Sequence, residues 1–120
     1  MKIAVTASNN TGLETEVDPR FGRASYFAII DSESMEVEFI DNSAANASSG
    51  AGIEAAQMVS DQGVEELISV KVGPKAFKAL QSAGIDIYTV DGGSLKEVVE
   101  AYKAGELDKL DNPTNPGHMG

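Results

Sequence analysis

The chain contains no cysteine. That excludes a disulfide framework, a nucleophilic thiol and any metal cluster ligated by the chain's own thiolates. Histidine occurs once, as His118 in the last few residues. Bases are scarce: nine Lys and Arg stand against nineteen Asp and Glu, a formal net charge of −10. Nucleic acid and anionic membranes need a dense positive surface, so neither is expected as a partner. No apolar run approaches membrane-spanning length, and the start Met1-Lys2-Ile3-Ala4-Val5-Thr6 is too short for the apolar region of a signal peptide. A cytoplasmic protein is the expectation. What is present, 120 residues with 42% hydrophobic and 23% charged side chains, suffices for one folded domain with a real core.

The stretch Glu66-Leu67-Ile68-Ser69-Val70-Lys71-Val72-Gly73-Pro74-Lys75-Ala76-Phe77 organises the chain. It starts as a short apolar run with β-branched residues, the pattern of a buried strand. It turns at Gly73-Pro74 and continues with Ala76, Phe77, Leu80 and Ala83 at helical spacing. Proline suits the first helical position, where its missing N–H is no loss. The free N–H groups and the positive dipole end of that first turn suit an anion, and Lys71 and Lys75 flank them. The same residues also suit an ordinary strand-to-helix connection with two solvated lysines.

Around this centre the other elements follow in order. Residues 2–7 form an apolar strand, and residues 8–24 a long polar loop containing Asp18-Pro19-Arg20-Phe21-Gly22-Arg23. There Phe21 can pin the loop to the core while both guanidinium groups face a ligand; the two roles are compatible. Residues 25–31 read as an internal strand. A tight turn leads to residues 35–40, where Met35, Val37 and Phe39 alternate with Glu36 and Glu38 as in a half-exposed strand. Charges on its outer face discourage edge pairing. A loop rich in Asn, Ser, Ala and Gly runs to Gly50 and Gly52, which allow close backbone approach, and a helix follows to about Gln62, capped by Gly63. The spaced glycines and trailing acid of a dinucleotide fingerprint are absent. A last strand covers residues 85–90, and Ser94 caps a final helix burying Leu95, Val98, Val99 and Tyr102. The domain is expected to span residues 1–110, with a disordered tail over 111–120.

Right-handed crossovers turn this order into an α/β fold with a five-stranded mixed sheet, order 3-2-1-4-5, and helices packed on it. A crevice opens where the first and fourth strands diverge at their carboxyl ends. Four loops meet there, and they hold seven of the twelve glycines: Gly12, Gly22, Gly50, Gly52, Gly73, Gly92 and Gly93. Four of the nine bases, Arg20, Arg23, Lys71 and Lys75, fall in the two central loops. In so acidic a chain this excess points to a cradle for a multiply charged anion.

Three motifs also carry a resemblance. Asp18-Pro19-Arg20-Phe21-Gly22-Arg23-Ala24 before a Tyr-Phe strand, Gly50-Ala51-Gly52-Ile53-Glu54-Ala55-Ala56, and Val72-Gly73-Pro74-Lys75-Ala76-Phe77 occur in this order. Over about residues 1–110 the chain resembles the NifX/NifB C-terminal-type family of dinitrogenase iron–molybdenum cofactor-binding proteins. The resemblance implies a ribonuclease H-like fold. It also implies a non-catalytic carrier of an anionic iron–sulfur or iron–molybdenum cluster precursor, with cluster-assembly proteins as partners. The motifs and the bases of the central loops together give the expected cofactor-binding residues: Arg20, Phe21, Gly22, Arg23, Gly50, Gly52, Lys71, Gly73, Pro74 and Lys75. Family members expected to ligate the cluster have a histidine immediately before Phe-Gly, where this chain has Arg20. A protonated guanidinium cannot coordinate iron, so binding rests on charge and hydrogen bonds, or on His118. The alternative is a small-anion or phosphometabolite-binding module unrelated to nitrogenase. A two-metal nuclease is set aside, because the two central strands carry no converging carboxylates, and no nucleophilic triad is visible.

Overall fold

A computed structural model describes residues 1–47 and 49–111. Its strands are β1 (Lys2–Ala7), β2 (Tyr26–Asp31), β3 (Val37–Asp41), β4 (Glu66–Ser69), β5 (Asp86–Thr89) and β6 (Asp108–Lys109). Its helices are α1 (Ala51–Asp61), α2 (Pro74–Ser82) and α3 (Leu95–Lys103), with a 3₁₀ turn at Ser43–Asn46. The mixed sheet runs β3-β2-β1-β4-β5-β6, parallel at β1–β4 and β4–β5 and antiparallel elsewhere.

The first five strands take the expected order, but the sheet has six strands, not five. β6 pairs Asp108 with Thr89 and Lys109 with Tyr88. Two exposed polar residues carry no periodicity, so nothing in the sequence announces this strand. It is held from outside itself, by Leu110 N–H donating to Ile87 O at 2.7 Å and by Lys109 pairing with Asp86 at 3.1 Å. The tail expected from 111 onward, including His118, lies from residue 112 outside the described residues.

Both faces of the central strands are buried, as near-continuous apolar runs require. On one face Ala4, Phe27, Ile29 and Leu67 meet Ala55, Ala56 and Val59 of α1 and Ala76, Phe77 and Leu80 of α2. On the other, Ile3, Val5, Ile30 and Ile68 meet Leu95, Val98 and Val99 of α3. Each such Leu, Ile or Phe contributes about 1.5–3 kcal/mol by leaving water. The crossover rule puts the N-termini of α1 and α2 at the carboxyl ends of β1 and β4, and this is what positions the site.

At the opposite end of the sheet α3 is tied to β4 through a buried acid. The Tyr102 hydroxyl donates to Glu66 Oε1 at 2.9 Å, and its ring meets Tyr88 edge-on with centroids 5.2 Å apart. Burial pushes the Glu66 carboxyl above its ordinary value and outweighs the opposing hydrogen bond from Tyr102. With the folded-state value raised, the stability Glu66 contributes is full below the ordinary carboxylate range and is lost as pH rises through the raised value. Glu66→Gln keeps an acceptor for Tyr102 without the buried charge. Urea titrations are predicted to find the variant more stable than wild type at about pH 7, the difference closing toward about pH 4. Equal or lower stability of the variant at neutral pH would contradict the assignment.

Candidate functional site

The long loop after β1 divides into two halves that serve different helices. Its first half closes over the start of α3. Val17 N–H donates to Gly93 O at 2.8 Å, while Leu95 and Lys96 N–H donate to Thr15 O at 2.9 Å and Leu13 O at 3.0 Å. Ser94 and Glu97 complete a reciprocal capping box, Glu97 N–H to Ser94 Oγ at 3.2 Å and Ser94 N–H to Glu97 Oε1 at 2.9 Å. These bonds hold the Glu97 carboxyl below its ordinary value. The early amides of α3 are therefore occupied from within, and an anion finds no donors there.

The second half, residues 18–24, turns toward α1 and α2, and Asp18 anchors it. Its carboxylate is 2% exposed and accepts from Arg20 N–H at 2.9 Å, Arg20 Nε at 3.2 Å, Arg20 Nη2 at 3.2 Å and Ser25 N–H at 3.4 Å. The Arg20 side chain is 61% exposed, and its pKa is raised by the hydrogen bond to Asp18. Asp18 is fixed to β1 in turn, its N–H donating to Thr6 O at 3.0 Å and its carbonyl accepting from Thr6 Oγ1 at 2.7 Å. Thr6 Oγ1 lies 3.3 Å from Ser69 Oγ, and that hydroxyl donates to Lys71 O at 3.4 Å. A line of short polar contacts thus runs across the carboxyl ends of β1 and β4.

Phe21 is buried, its ring 5.4 Å from that of Phe27, and it presses the loop onto the core. Gly22 then sits directly on the first turn of α1. A β-carbon on Gly22 would fall 2.9 Å from Gly52 N, 3.0 Å from Gly52 Cα and 3.2 Å from Ala51 C. A β-carbon on Gly52 would fall 3.0 Å from Ala76 Cβ on the first turn of α2. Gly22, Gly52 and Ala76 form one stack, and it brings the three sequence motifs together. Asn42 secures its flank, Nδ2 donating to Gly22 O at 3.0 Å and Ala24 O at 2.9 Å while Oδ1 accepts from Ala44 N–H at 3.1 Å.

The stack holds two helix N-termini side by side. Gly50 enters α1 in the left-handed region at φ 73°, and Pro74 opens α2 after an extended Gly73. Among the described residues, the first-turn amides of Gly52 and Ile53 in α1 and of Lys75 and Ala76 in α2 donate to no acceptor. Two dipole ends, these donors and the Lys75 ammonium favour an anion at this rim, and Glu54 in the first turn of α1 opposes them.

The sequence-predicted residues do not all gather at the stack. Gly22 and Gly52 belong to it and Phe21 adjoins Gly22 in the chain, while Gly50, Gly73, Pro74 and Lys75 stand at the starts of the helices it joins, and Arg20 stands at the same end of the sheet. Arg23 turns instead to the segment before α1, Nη1 donating to Ala45 O at 2.8 Å and Ala47 O at 2.7 Å. Lys71 lines a separate open cleft of about 970 Å³ between the end of β5, α3 and residues 106–108. That cleft also presents Asp91, Glu97, Glu106 and Asp108, a lining that repels anions. Asp18, Asn42 and Ala76 shape the site without standing among the residues predicted to form it. Asp18 and Asn42 carried signals, an acid two residues before an arginine and an Asn closing a strand at a capping position. Ala76 carried none, because an alanine's neighbour across a helix pair is a tertiary fact. No group of three or more His, Cys, Asp or Glu able to hold a metal ion occurs among the described residues.

Comparison with known proteins gives a consistent picture. Residues 1–105 match the family described as dinitrogenase iron-molybdenum cofactor. An uncharacterized protein of Methanocaldococcus jannaschii is 33% identical, with 92% of each chain covered. The apo form of the orange protein from Desulfovibrio gigas is 40% identical and superposes with a TM-score of 0.91, covering 95% of this chain and 96% of that one. A Thermotoga protein provisionally assigned as NifB is 37% identical with a TM-score of 0.82, covering 95% and 97%.

The stack and the open amides predict opposite behaviour at neighbouring glycines. Gly22→Ala meets backbone atoms that cannot move aside, and chemical denaturation should find a loss of about 1–3 kcal/mol. Gly73→Ser meets open space on extended backbone, and serine is itself a helix cap; its stability should stay within about 0.5 kcal/mol of wild type. A tolerated Gly22→Ala would mean that the loop and α1 are not in enforced contact.

Proposed function

The chain belongs to the dinitrogenase iron-molybdenum cofactor family, and on that premise we propose that it is a non-catalytic carrier for an anionic iron–sulfur or iron–molybdenum cluster precursor. The observation that carries this reading is the pair of adjoining helix N-termini with open amides, joined by the Gly22–Gly52–Ala76 stack. The chain has no thiolate, and no histidine lies among the described residues. A cluster complete in its own sulfide ligands fits such a site, because it needs hydrogen-bond donors and positive charge rather than ligating side chains. In this reading the amides of α1 and α2 cradle the anion's sulfides, Lys75 supplies mobile charge at the rim, and Arg20 supplies charge held in place by Asp18. Arg23, bound to the carbonyls of Ala45 and Ala47, and Lys71, in the separate acidic cleft, have no part in holding it. Cargo held in this way can be passed on without breaking a protein–metal bond, as suits a cytoplasmic carrier serving cluster-assembly proteins. The likeness to the orange protein and to the Thermotoga protein supports the reading.

The test is anaerobic titration of the purified protein with an anionic iron–molybdenum–sulfur cluster. The expected result is stoichiometric visible absorption that survives desalting and weakens as salt is raised. Arg20→Ala with Lys75→Ala should weaken binding by about tenfold or more without unfolding the chain. No retained absorption by the wild type would reject the carrier role. Open amides at two helix N-termini suit phosphate equally, which gives the second reading, a module for a small phosphorylated metabolite. Thermal stabilisation by phosphorylated compounds, with none by clusters, would favour it.

A further inference from the structure

The two edges of the sheet are not alike. On one side β6 is two residues long and is pinned by the Lys109–Asp86 pair. On the other, β3 is five residues long and, among the described residues, has only β2 beside it. The ladder shows which of its backbone groups are spent. Glu36 O accepts from Asp31 N–H, and Asn42 N–H donates to Ser25 O. In an antiparallel pair such residues alternate, so the even-numbered positions of this strand face β2. Val37, Phe39 and Asp41 therefore turn their N–H and C=O groups outward, and among the described residues nothing covers them.

The side chains along this edge are also unmatched. Val37 and Phe39 are half-exposed on the face that α3 covers, and Met35 extends their line. Met35 holds a φ of 63°, a left-handed conformation that glycine or asparagine adopts far more readily. Its half-exposed thioether sits where turn geometry alone would favour another residue, and thioethers suit adaptable docking surfaces. Glu36, Glu38 and Asp41 are exposed beside this line. Between Arg23 and Lys71 the chain has nine acids and no Lys or Arg, and the described ion pairs leave these three acids without a cation.

We infer that the outer edge of β3 is a docking strip for an extended segment of a partner protein in which apolar and basic residues alternate. The partner strand would take the outward groups of Val37, Phe39 and Asp41, place its apolar side chains beside Met35, Val37 and Phe39, and bring its bases against Glu36 and Glu38. The charge selects this occupant over a second copy of the chain, which would set three acids beside three more. The strip is separate from the helix N-termini and does not depend on what they bind.

The test uses the full chain and three soluble peptides: one alternating Lys and Val, its Glu–Val counterpart, and the Lys–Val peptide with alternate amides N-methylated. The Lys–Val peptide is expected to slow hydrogen exchange at Val37, Phe39 and Asp41 by about tenfold or more, and the N-methylated peptide to have no effect. Glu36→Lys with Glu38→Lys, both exposed positions, should transfer the preference to the Glu–Val peptide. Absence of protection at those three amides, or binding unmoved by the charge reversal, would overturn the proposal. So would protection that grows with protein concentration alone, since the edge would then serve a second copy.

Discussion

The arrangement at the carboxyl end of the sheet depends on a contact in which two residues lack a β-carbon. Gly22 rests on the backbone of Gly52, and Gly52 rests on the methyl group of Ala76. Neither step leaves room for a β-carbon, so the loop after β1 and the first turns of α1 and α2 come together more closely than side chains would allow. The sheet sets where the helices begin, and the stack sets how near each other they begin. Electrostatics follows from that packing, since open amides become a site when two sets converge.

The same loop shows how a helix end can be closed or left open. Over α3 the chain supplies its own acceptors, Thr15 O, Leu13 O and Ser94 Oγ, and the positive dipole end is neutralised from within. Over α1 and α2 it supplies glycine and proline instead, which offer no side-chain acceptor. In a chain of net charge −10 this leaves a local positive end on an acidic molecule. Asp18 adds direction by holding the Arg20 guanidinium through two nitrogens while the rest of that side chain stays in solvent.

Much of this was legible beforehand, and for identifiable reasons. β1, β2 and the hairpin to β3 follow from apolar runs and alternation, and the right-handed crossover rule then orders five strands. Pro74 and Ser94 mark helix starts through local chemistry, and both stand where that chemistry places them. What could not be read depended on partners distant in the chain. β6 exists because Ile87 and Asp86 hold it, and Asp108 and Lys109 alone imply nothing. The bases of the central loops looked alike in sequence, yet Arg23 is taken up by the carbonyls of Ala45 and Ala47 while Lys71 lines an acidic cleft. Gly50 and Gly52 were read as sites of close backbone approach; Gly52 is one, to Gly22, whereas a β-carbon on Gly50 would meet open space.

The account stands or falls on whether the two helix starts act as one anion site. Backbone amide resonances followed during titration with an anionic metal–sulfur cluster report this directly. Gly52, Ile53, Lys75 and Ala76 should shift together along one binding curve, with Leu95 and Lys96 of α3 unmoved. Shifts scattered over the surface, or centred on α3, would contradict it.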